Sequence, residues 1–162
     1  MADLLFPILQ AETLRKNRWI LRFPNDIGIQ PFMLKSCSGI KPSQTKITIP
    51  FLNTEVYGFG RLSWAPIQIV IRDFVSPSSR QALVEFFRLH SESVTGRQGY
   101  MVGAAKNLNL ELLDPTGVKV GEWLIENAIL VDEIDFGALD YSEDGLLEIS
   151  FSVQPQKCIN LY

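Results

Sequence analysis

The residue types that most often carry catalysis are scarce in this sequence. His90 is the only histidine, and no Gly-x-Ser-x-Gly segment is present to hold a serine nucleophile for it. A second histidine or a Cys-x-x-Cys pair, which a zinc site needs, is also missing. His90 falls on the apolar side of a predicted helix, which favours a structural role. We therefore expect no enzyme, no cofactor site and no metal site.

Two segments match ligand-binding loops only in part. Gly58–Ser63 reads GFGRLS, but the third glycine of a phosphate loop is missing and no helix is predicted after it. Asp140–Glu148 reads DYSEDGLLE, and its first positions fit a calcium loop. Its twelfth position is Phe151, where such a loop requires a bidentate glutamate. We interpret the second segment as a solvated acidic turn, with adventitious cation binding as the alternative.

Charge is unevenly distributed along the 162 residues, whose formal net charge is −3. Residues 1–99 hold 12 Lys/Arg and 7 Asp/Glu, a balance of +5, whereas residues 100–162 hold 3 and 11, a balance of −8. This asymmetry fits either ordinary solvated faces or two oppositely charged surfaces that contact copies of the same chain. Asp132, Glu133 and Asp135 are interpreted as part of an acidic surface. Nucleic-acid binding is poorly supported, because the chain is acidic overall and has no known reading module.

Composition indicates a soluble globular chain that stays in the compartment where it is made. No apolar run approaches the ~20 residues that span a bilayer, and no basic region precedes the apolar patch near the N-terminus, so neither membrane insertion nor a signal peptide is expected. Cys37 and Cys158 are the only cysteines. Two free, partly buried thiols are the simpler interpretation, and a disulfide is the alternative.

Alternation of apolar and polar residues predicts that most of the chain is β. The clearest example is the last strand, where Leu147, Ile149, Phe151 and Val153 alternate with polar residues, and DPTG (Asp114–Gly117) predicts a turn between two other strands. The residues predicted to share a face in the other strands are Trp19, Leu21 and Phe23; Phe32 and Leu34; Ile47, Ile49 and Phe51; Ile67, Ile69 and Ile71; Leu108, Leu110 and Leu112; and Ile125, Asn127, Ile129 and Val131.

One helix is predicted over residues 76–92, with Ser76 as its cap and Pro77 at its first position. Its apolar stripe comprises Leu83, Phe86, Phe87 and His90. Seven or eight strands and one helix predict a mainly β fold, an antiparallel β-sandwich or barrel with one packed α-helix. The whole chain, residues 1–162, is expected to form a single domain, with residues 1–16 as an N-terminal arm.

Residues 46–74 are predicted to form a strand, a long hairpin and a second strand. The linker between the two alternating segments is rich in glycine and aromatic residues and is too long for a tight turn. Open sheet edges recruit other strands, and pairing with sister copies can close a ring that stacks into a tube. We therefore predict a subunit interface in this hairpin, at Glu55, Val56, Tyr57, Gly58, Phe59 and Gly60.

Several segments together resemble the tail tube proteins of contractile-tailed bacteriophages. The resemblance runs from SGIKPS through Gly60, Trp64 and PIQIVIRD to the helix SRQALVEFFRLH. It continues in the strand WLIENAILVDEIDF, the acidic turn LDYSEDG and the final strand LLEISFSV, so that it covers roughly residues 17–156.

The resemblance implies a structural virion protein in the viral tail, assembled in the host cytoplasm, whose sheets join between subunits. Hexameric rings would stack head to tail into the inner tube of a contractile tail, a conduit for DNA ejection without catalysis. The implied partners are the chain itself, the tail sheath protein, the baseplate and tail terminator proteins and, transiently in the lumen, the tape measure protein and DNA.

A conduit for DNA must not hold phosphates, so a neutral to acidic lumen is expected. The candidate lumen residues are Glu126, Asp132, Glu148, Ser150 and Ser152. The alternative is that these residues face solvent on a monomer.

Other functions fit the same sequence pattern. The nearest alternatives are the inner tube of a bacterial contractile injection system, a tube-initiating baseplate protein and a tail terminator. A ligand-binding β-sandwich is a further alternative, which would use Trp19, Trp64 or Trp123 in a concave aromatic patch.

Overall fold

The structure, a computed structural model, describes residues 11–162. The apolar segment LLFPIL of the predicted N-terminal arm lies outside the described residues. Residues 11–16 are exposed and belong to no strand or helix. The described part of the chain contains nine β-strands, one long α-helix, one short α-helix and one turn of 3-10 helix at Pro31–Met33.

Five strands precede the two helices and four follow them. The strands are β1 (Trp19–Arg22), β2 (Leu34–Cys37), β3 (Pro42–Phe51), β4 (Thr54–Trp64), β5 (Ile67–Arg72), β6 (Lys106–Leu113), β7 (Lys119–Asp135), β8 (Glu148–Gln154) and β9 (Lys157–Asn160), and the helices α1 (Ser79–His90) and α2 (Met101–Ala104) lie between β5 and β6.

Seven strands form one antiparallel sheet in the order β1-β6-β7-β8-β5-β2, with β9 paired to β7. Strands β3 and β4 form a separate two-stranded ribbon. The predicted mainly β, antiparallel fold with a packed helix is confirmed. Because β7 is 17 residues long, it can pair with β6 and β9 over its first part and with β8 over its second.

The core lies under β5 and β8, where the predicted alternation is confirmed. Ile67, Ile69 and Ile71 of β5 are buried, as are Ile149, Phe151 and Val153 of β8. In register, Ile69 faces Phe151 and Ile71 faces Ile149. Such neighbouring apolar pairs on one face are what stabilises a sheet. Leu83 and Phe86 of α1 belong to the same core cluster, whereas Phe87 of the predicted stripe is 37% exposed.

The prediction that Phe32 and Leu34 share a strand face is wrong. Phe32 is 58% exposed and Met33 is fully buried, because residues 31–33 form a 3-10 turn before β2 begins at Leu34. Pro31 opens that turn, since its fixed φ suits the first helical position and its missing N–H is not needed there.

The helix begins two residues later than predicted, at Ser79 instead of Pro77, and ends at His90. Ser78, not Ser76, is its N-cap, and the Ser78 hydroxyl accepts a hydrogen bond of 3.3 Å from the Gln81 N–H. Ser79 is buried and its hydroxyl donates to the Arg72 carbonyl over 2.8 Å. This bond joins the first turn of α1 to the end of β5. The start of the helix is therefore fixed by a tertiary contact as well as by the N-cap.

The predicted faces of β7 are wrong beyond Ile125. Ile125 and Ala128 are the buried residues, and Asn127 between them has φ 51°. A register shift opposite Lys106–Leu108 marks a β-bulge, in which one extra residue turns the following side chains to the other face. The Asn107 side-chain oxygen accepts a 2.9 Å hydrogen bond from the Asn127 N–H and so holds the bulge.

Candidate assembly interface

The segment predicted as a long linker is itself a strand. β4 occupies Thr54–Trp64 and pairs with β3 along its length, with the chain reversing at Leu52 and Asn53. Among the described residues, β3 and β4 pair only with each other. The result is a hairpin (Pro42–Trp64) whose two outer edges carry backbone N–H and C=O groups with no strand beside them.

The hairpin has one apolar face. Antiparallel register sets Ile49 opposite Val56 and Ile47 opposite Gly58, and directly opposed residues point to the same side of a sheet. The residues of this apolar face are Ile47, Ile49, Phe51 and Val56, each between 51% and 67% exposed. An exposed cluster of large aliphatic and aromatic side chains is typical of a protein interaction surface.

The opposite face is aromatic and polar. Here Lys46 lies opposite Phe59, and Thr48 lies opposite Tyr57. The Lys46 ammonium sits 4.5 Å from the centre of the Tyr57 ring, and the Tyr57 hydroxyl donates to Glu55 over 3.2 Å. These contacts give the Lys46 ammonium and the Tyr57 hydroxyl partners within the hairpin while this face is exposed to water. The predicted residues Glu55–Gly60 are thus divided, because Val56 lies on the apolar face while Tyr57 and Phe59 lie on this one.

Gly60 allows the two strands to come together at an irregular point. The register shifts between Gln44 and Lys46, and the Thr45 hydroxyl accepts a hydrogen bond of 3.0 Å from the Arg61 N–H. A Cβ at Gly60 would lie 2.6 Å from the Thr45 carbonyl oxygen and would collide with the Thr45 hydroxyl. The bulge therefore requires glycine at this position.

The hairpin projects from the end of the sheet where β2 finishes and β5 starts. Ser38 binds Gln68 in both directions, through its own N–H (2.8 Å) and through its hydroxyl oxygen (2.9 Å). The Ala65 N–H donates to the Lys41 carbonyl over 3.1 Å, and the Gln154 side chain donates to the Trp64 carbonyl over 2.8 Å. These bonds fix the base of the hairpin to β5 and β8, while its length stays exposed.

The predicted lumen residues are only partly brought together. Glu148, Ser150 and Ser152 share the polar face of β8, where Ser152 lies opposite Gln68 of β5. Glu148 is paired with Lys35 over 2.6 Å. Glu126 lies farther along β7, opposite Lys157 of β9. Asp132 has φ 59° and lies within an irregular stretch between Val131 and Asp135. Their role in lining a channel stays a prediction.

The chain shares its architecture with solved structures of contractile machines. No family model matches the chain, and no curated protein matches it in sequence. A chain of an extracellular contractile injection system, in the structure of its sheath/tube terminator in the extended state, matches with a TM-score of 0.73 and 14% identity, over 94% of this chain and 99% of that chain. The sheath-tube complex of such a system matches with a TM-score of 0.72 and 14% identity, over 96% and 95%. The baseplate of the anti-feeding prophage matches with a TM-score of 0.70 and 16% identity, over 93% and 97%.

The chain has the fold of these contractile injection system components. At 14–16% identity the likeness concerns the fold, and it covers nearly the whole length of both chains. The resemblance stated from the sequence, to a tube protein of a contractile tail, is confirmed to this extent.

Within this fold, the sequence-based interpretation misses half of the candidate interface. Alternation predicts an ordinary half-buried strand at Ile47, Ile49 and Phe51, yet β3 is exposed along its whole length. The available signal is the pair of prolines, Pro42 and Pro50, that flank or interrupt this alternation. Proline within a strand is typical of an edge strand, since it cannot donate to a neighbour.

The acidic segment at Asp140 and the two cysteines are the remaining features singled out from the sequence. Asp140 accepts hydrogen bonds from the Ser142 N–H (2.9 Å) and hydroxyl (2.8 Å), so its segment forms an acidic turn. Cys37 and Cys158 are both free thiols. Within residues 11–162, no group of three or more histidine, cysteine or acidic side chains is arranged to hold a metal. No helix in that range is long and apolar enough to cross a membrane.

Proposed function

We propose that this chain is a structural subunit of a contractile injection apparatus, and that copies of it pack head to tail to form the inner tube. The observation that carries the proposal is the exposed apolar face of the hairpin. A face with Ile47, Ile49, Phe51 and Val56 half or more exposed is costly in a solitary protein. It becomes favourable when a sister copy covers it.

The energy scale is adequate for assembly by repetition. Covering the exposed half of an Ile or Phe side chain contributes on the order of 1 kcal/mol. Four such residues in each hairpin contribute a few kcal/mol to each contact, and a ring repeats the contact around its circumference. The resemblance to tail tube proteins implies six copies per ring, and we include this number in the proposal. No catalytic step is required of the chain.

The proposed partners follow from the proposed position of this chain in the inner tube. Sister copies, the contractile sheath around the tube and the terminator at its end are the proposed contacts of this chain. The fold likeness to a chain in a sheath/tube terminator structure, with a TM-score of 0.73, is as strong as the likeness to a chain in a sheath-tube complex, at 0.72. A terminator ring is therefore the second candidate function. A tube forms filaments of varying length, whereas a terminator forms single rings.

A phage tail tube that conducts DNA is the narrower form of the proposal. In that case, particles isolated from producing cells carry the chain in tails attached to DNA-containing heads. In an injection system, the same isolation yields headless sheathed particles that contain the chain. Electron microscopy of particles labelled with an antibody to this chain distinguishes the two.

The test compares the wild type with Ile47→Ser/Ile49→Ser by light scattering and negative-stain electron microscopy. The wild type is expected to form rings or tubes as its concentration rises. The double variant is expected to keep the wild-type circular dichroism and to remain monomeric. Point substitutions are preferable to deleting residues 54–60, because that deletion removes most of β4 and leaves β3 unpaired.

The control is Val75→Ser/Val94→Ser, which removes two similarly apolar and still more exposed side chains elsewhere. It is expected to assemble as the wild type does. A wild type that stays monomeric at every concentration contradicts the proposal, and so does a hairpin variant that forms tubes as readily as the control.

A further inference from the structure

The two ends of the central sheet carry different surfaces. At one end, β5 begins at Ile67, next to the base of the hairpin. At the other end, Arg72 of β5 lies opposite Glu148 of β8, and the Asp73 N–H donates to the Leu147 carbonyl over 3.0 Å. The connection from β7 to β8, residues 136–147, leaves the sheet at this second end. A strand of six residues separates the two ends by roughly 17–20 Å.

The segment that joins β7 to β8 at the second end is strongly acidic, although the basic residues Arg72 and Lys35 lie beside Glu148 at the same end. Residues 132–148 hold seven Asp or Glu residues and no Lys or Arg. Glu148 is paired with Lys35, whereas the other six form no ion pair with any residue from 11 to 162. These six carboxylates are Asp132, Glu133, Asp135, Asp140, Glu143 and Asp144. A cationic surface on another molecule would relieve their mutual repulsion.

The hairpin end has the opposite charge. Residues 41–64 contain Lys41, Lys46 and Arg61 against the single acidic residue Glu55. Within the described part of the chain, none of the three basic side chains forms an ion pair with a carboxylate. The unpaired bases of the hairpin and the unpaired acids of the connection therefore lie at opposite ends of one sheet.

The acidic connection (residues 136–147) also presents apolar side chains. Leu139 is 85% exposed, Leu146 is 77% exposed and Tyr141 is fully exposed. The connection has a defined shape, since Asp135 accepts a 2.9 Å hydrogen bond from the Gly137 N–H, and Gly137 has φ 88°. Apolar side chains surrounded by carboxylates complement an apolar face on a hairpin that carries a net positive charge.

From these observations we infer that the hairpin of one copy packs on the acidic connection of the next copy. The apolar face of the hairpin covers Leu139, Tyr141 and Leu146, and the net positive charge of the hairpin is attracted to the carboxylates around these three residues. This inference rests on the proposed function for the identity of the partner, a second copy of this chain.

The positions of the two surfaces determine which type of contact can form between copies. The patches are different and lie at opposite ends of one sheet, so a hairpin does not reach the acidic connection of its own molecule. The contact is therefore heterologous, and each molecule offers one free hairpin and one free acidic connection. Contacts of this kind close into a ring where the rotation between copies allows it and otherwise continue from copy to copy as a stack or filament.

Cysteine crosslinking tests the contact directly. Phe51→Cys and Tyr141→Cys are prepared as separate proteins, mixed and treated with a short bismaleimide. We expect a covalent dimer that contains one molecule of each variant. The control mixture pairs Phe51→Cys with Val94→Cys, a site that is highly exposed but lies after α1. Wild-type protein gives the background, because Cys37 is half-buried and Cys158 is buried.

Charge reversal provides the second measurement. Lys46→Glu/Arg61→Glu is expected to raise the concentration needed for assembly about ten-fold. Asp140→Lys/Glu143→Lys in the same chain is expected to restore assembly, since it exchanges the signs of the two surfaces. Restoration supports the inference, because a merely misfolded hairpin variant is not rescued by substitutions at the other end of the sheet.

The outcomes separate this inference from the proposed function. A wild type that assembles, with no Phe51→Cys/Tyr141→Cys dimer above the Val94→Cys control, overturns this contact and leaves the proposed function standing. A wild type that never assembles overturns both. Failure of the second pair of reversals to restore assembly also counts against this contact.

Discussion

His90 Nε2 accepts a hydrogen bond of 3.0 Å from the Leu130 N–H, and its Nδ1 lies 3.1 Å from the Phe86 carbonyl oxygen. Both ring nitrogens are satisfied when Nδ1 carries the proton and donates to Phe86, a tautomer assigned from this network. The ring also packs edge-on to Phe86, with 5.2 Å between centroids. The single histidine thus joins the last turn of α1 to β7.

Removing this connection is expected to destabilise the monomer. His90→Ala leaves the Leu130 N–H without its acceptor, which costs about 1–3 kcal/mol in the free energy of unfolding. Urea unfolding followed by circular dichroism measures the change. Arg88→Ala is the control, because Arg88 lies on the same helix and makes only an exposed pair with Glu85. Equal losses in the two variants would show that the hydrogen bond to β7 is unimportant.

Gly60 is expected to be necessary for the shape of the hairpin but not for the core. Gly60→Ala places a methyl group against Thr45 and disrupts the pairing of β3 with β4. Gly58→Ala is a matched control, since an added Cβ there meets nothing closer than 3.9 Å.

Amide hydrogen exchange measures the effect of Gly60→Ala and of Gly58→Ala on each strand separately. Amides of β3 and β4 are expected to exchange faster in Gly60→Ala than in Gly58→Ala, while those of β5 and β8 keep their protection in both. Identical exchange in the two variants contradicts the proposed role of the bulge.

The sequence predicts this fold best where one face of a strand is buried by its own chain. Ile67, Ile69 and Ile71 alternate with polar residues and are all buried, because the core of the same molecule selects them. Phe151 and its neighbours on β8 follow the same rule. Apolar and polar residues alternate in a strand when one face of the strand is buried and the other is exposed, as is the case for β5 and β8.

The hairpin and the bulge at Asn127 could not be predicted from alternation, and the reasons are physical. β4 is largely exposed on both faces within one molecule, so Thr54–Trp64 shows no clean alternation and its pattern is typical of a linker. The extra residue at Asn127 moves the side chains that follow it in β7 to the opposite face, and no local sequence pattern predicts such a bulge. The division of the interface between two hairpin faces depends on the register with β3, which only the structure provides.

The turn between β6 and β7 is expected to weaken in acid. The Asp114 carboxylate accepts hydrogen bonds from the Thr116 hydroxyl (2.7 Å) and from the N–H groups of Val118 and Thr116 (2.8 Å each). The Thr116 hydroxyl, followed by the Val118 N–H, lowers the pKa of Asp114 below its usual value. A lowered folded-state pKa stabilises the fold above the unfolded pKa of about 3.9, and this contribution is lost as the pH falls through the folded value.

Asp114→Asn isolates this contribution, because the amide keeps the shape but has no charge to titrate. The difference in unfolding free energy between wild type and variant is expected to be largest near neutral pH and to shrink below about pH 4. Measuring both proteins at each pH cancels the titration of all other groups. A difference that does not change with pH contradicts the prediction.

The two thiols are expected to be poorly reactive in the folded protein. Burial raises the pKa of both Cys37 and Cys158 to about 11, because a thiolate is poorly solvated there. Only about one thiol in a thousand is then ionised at pH 8, and the thiolate is the reactive form. Allowing for the greater intrinsic nucleophilicity of a high-pKa thiolate, alkylation at pH 8 is expected to be at least about ten-fold slower than in urea. Cys37→Ser and Cys158→Ser report each remaining thiol alone, and a thiol that reacts equally fast in the folded and unfolded protein contradicts its assigned burial.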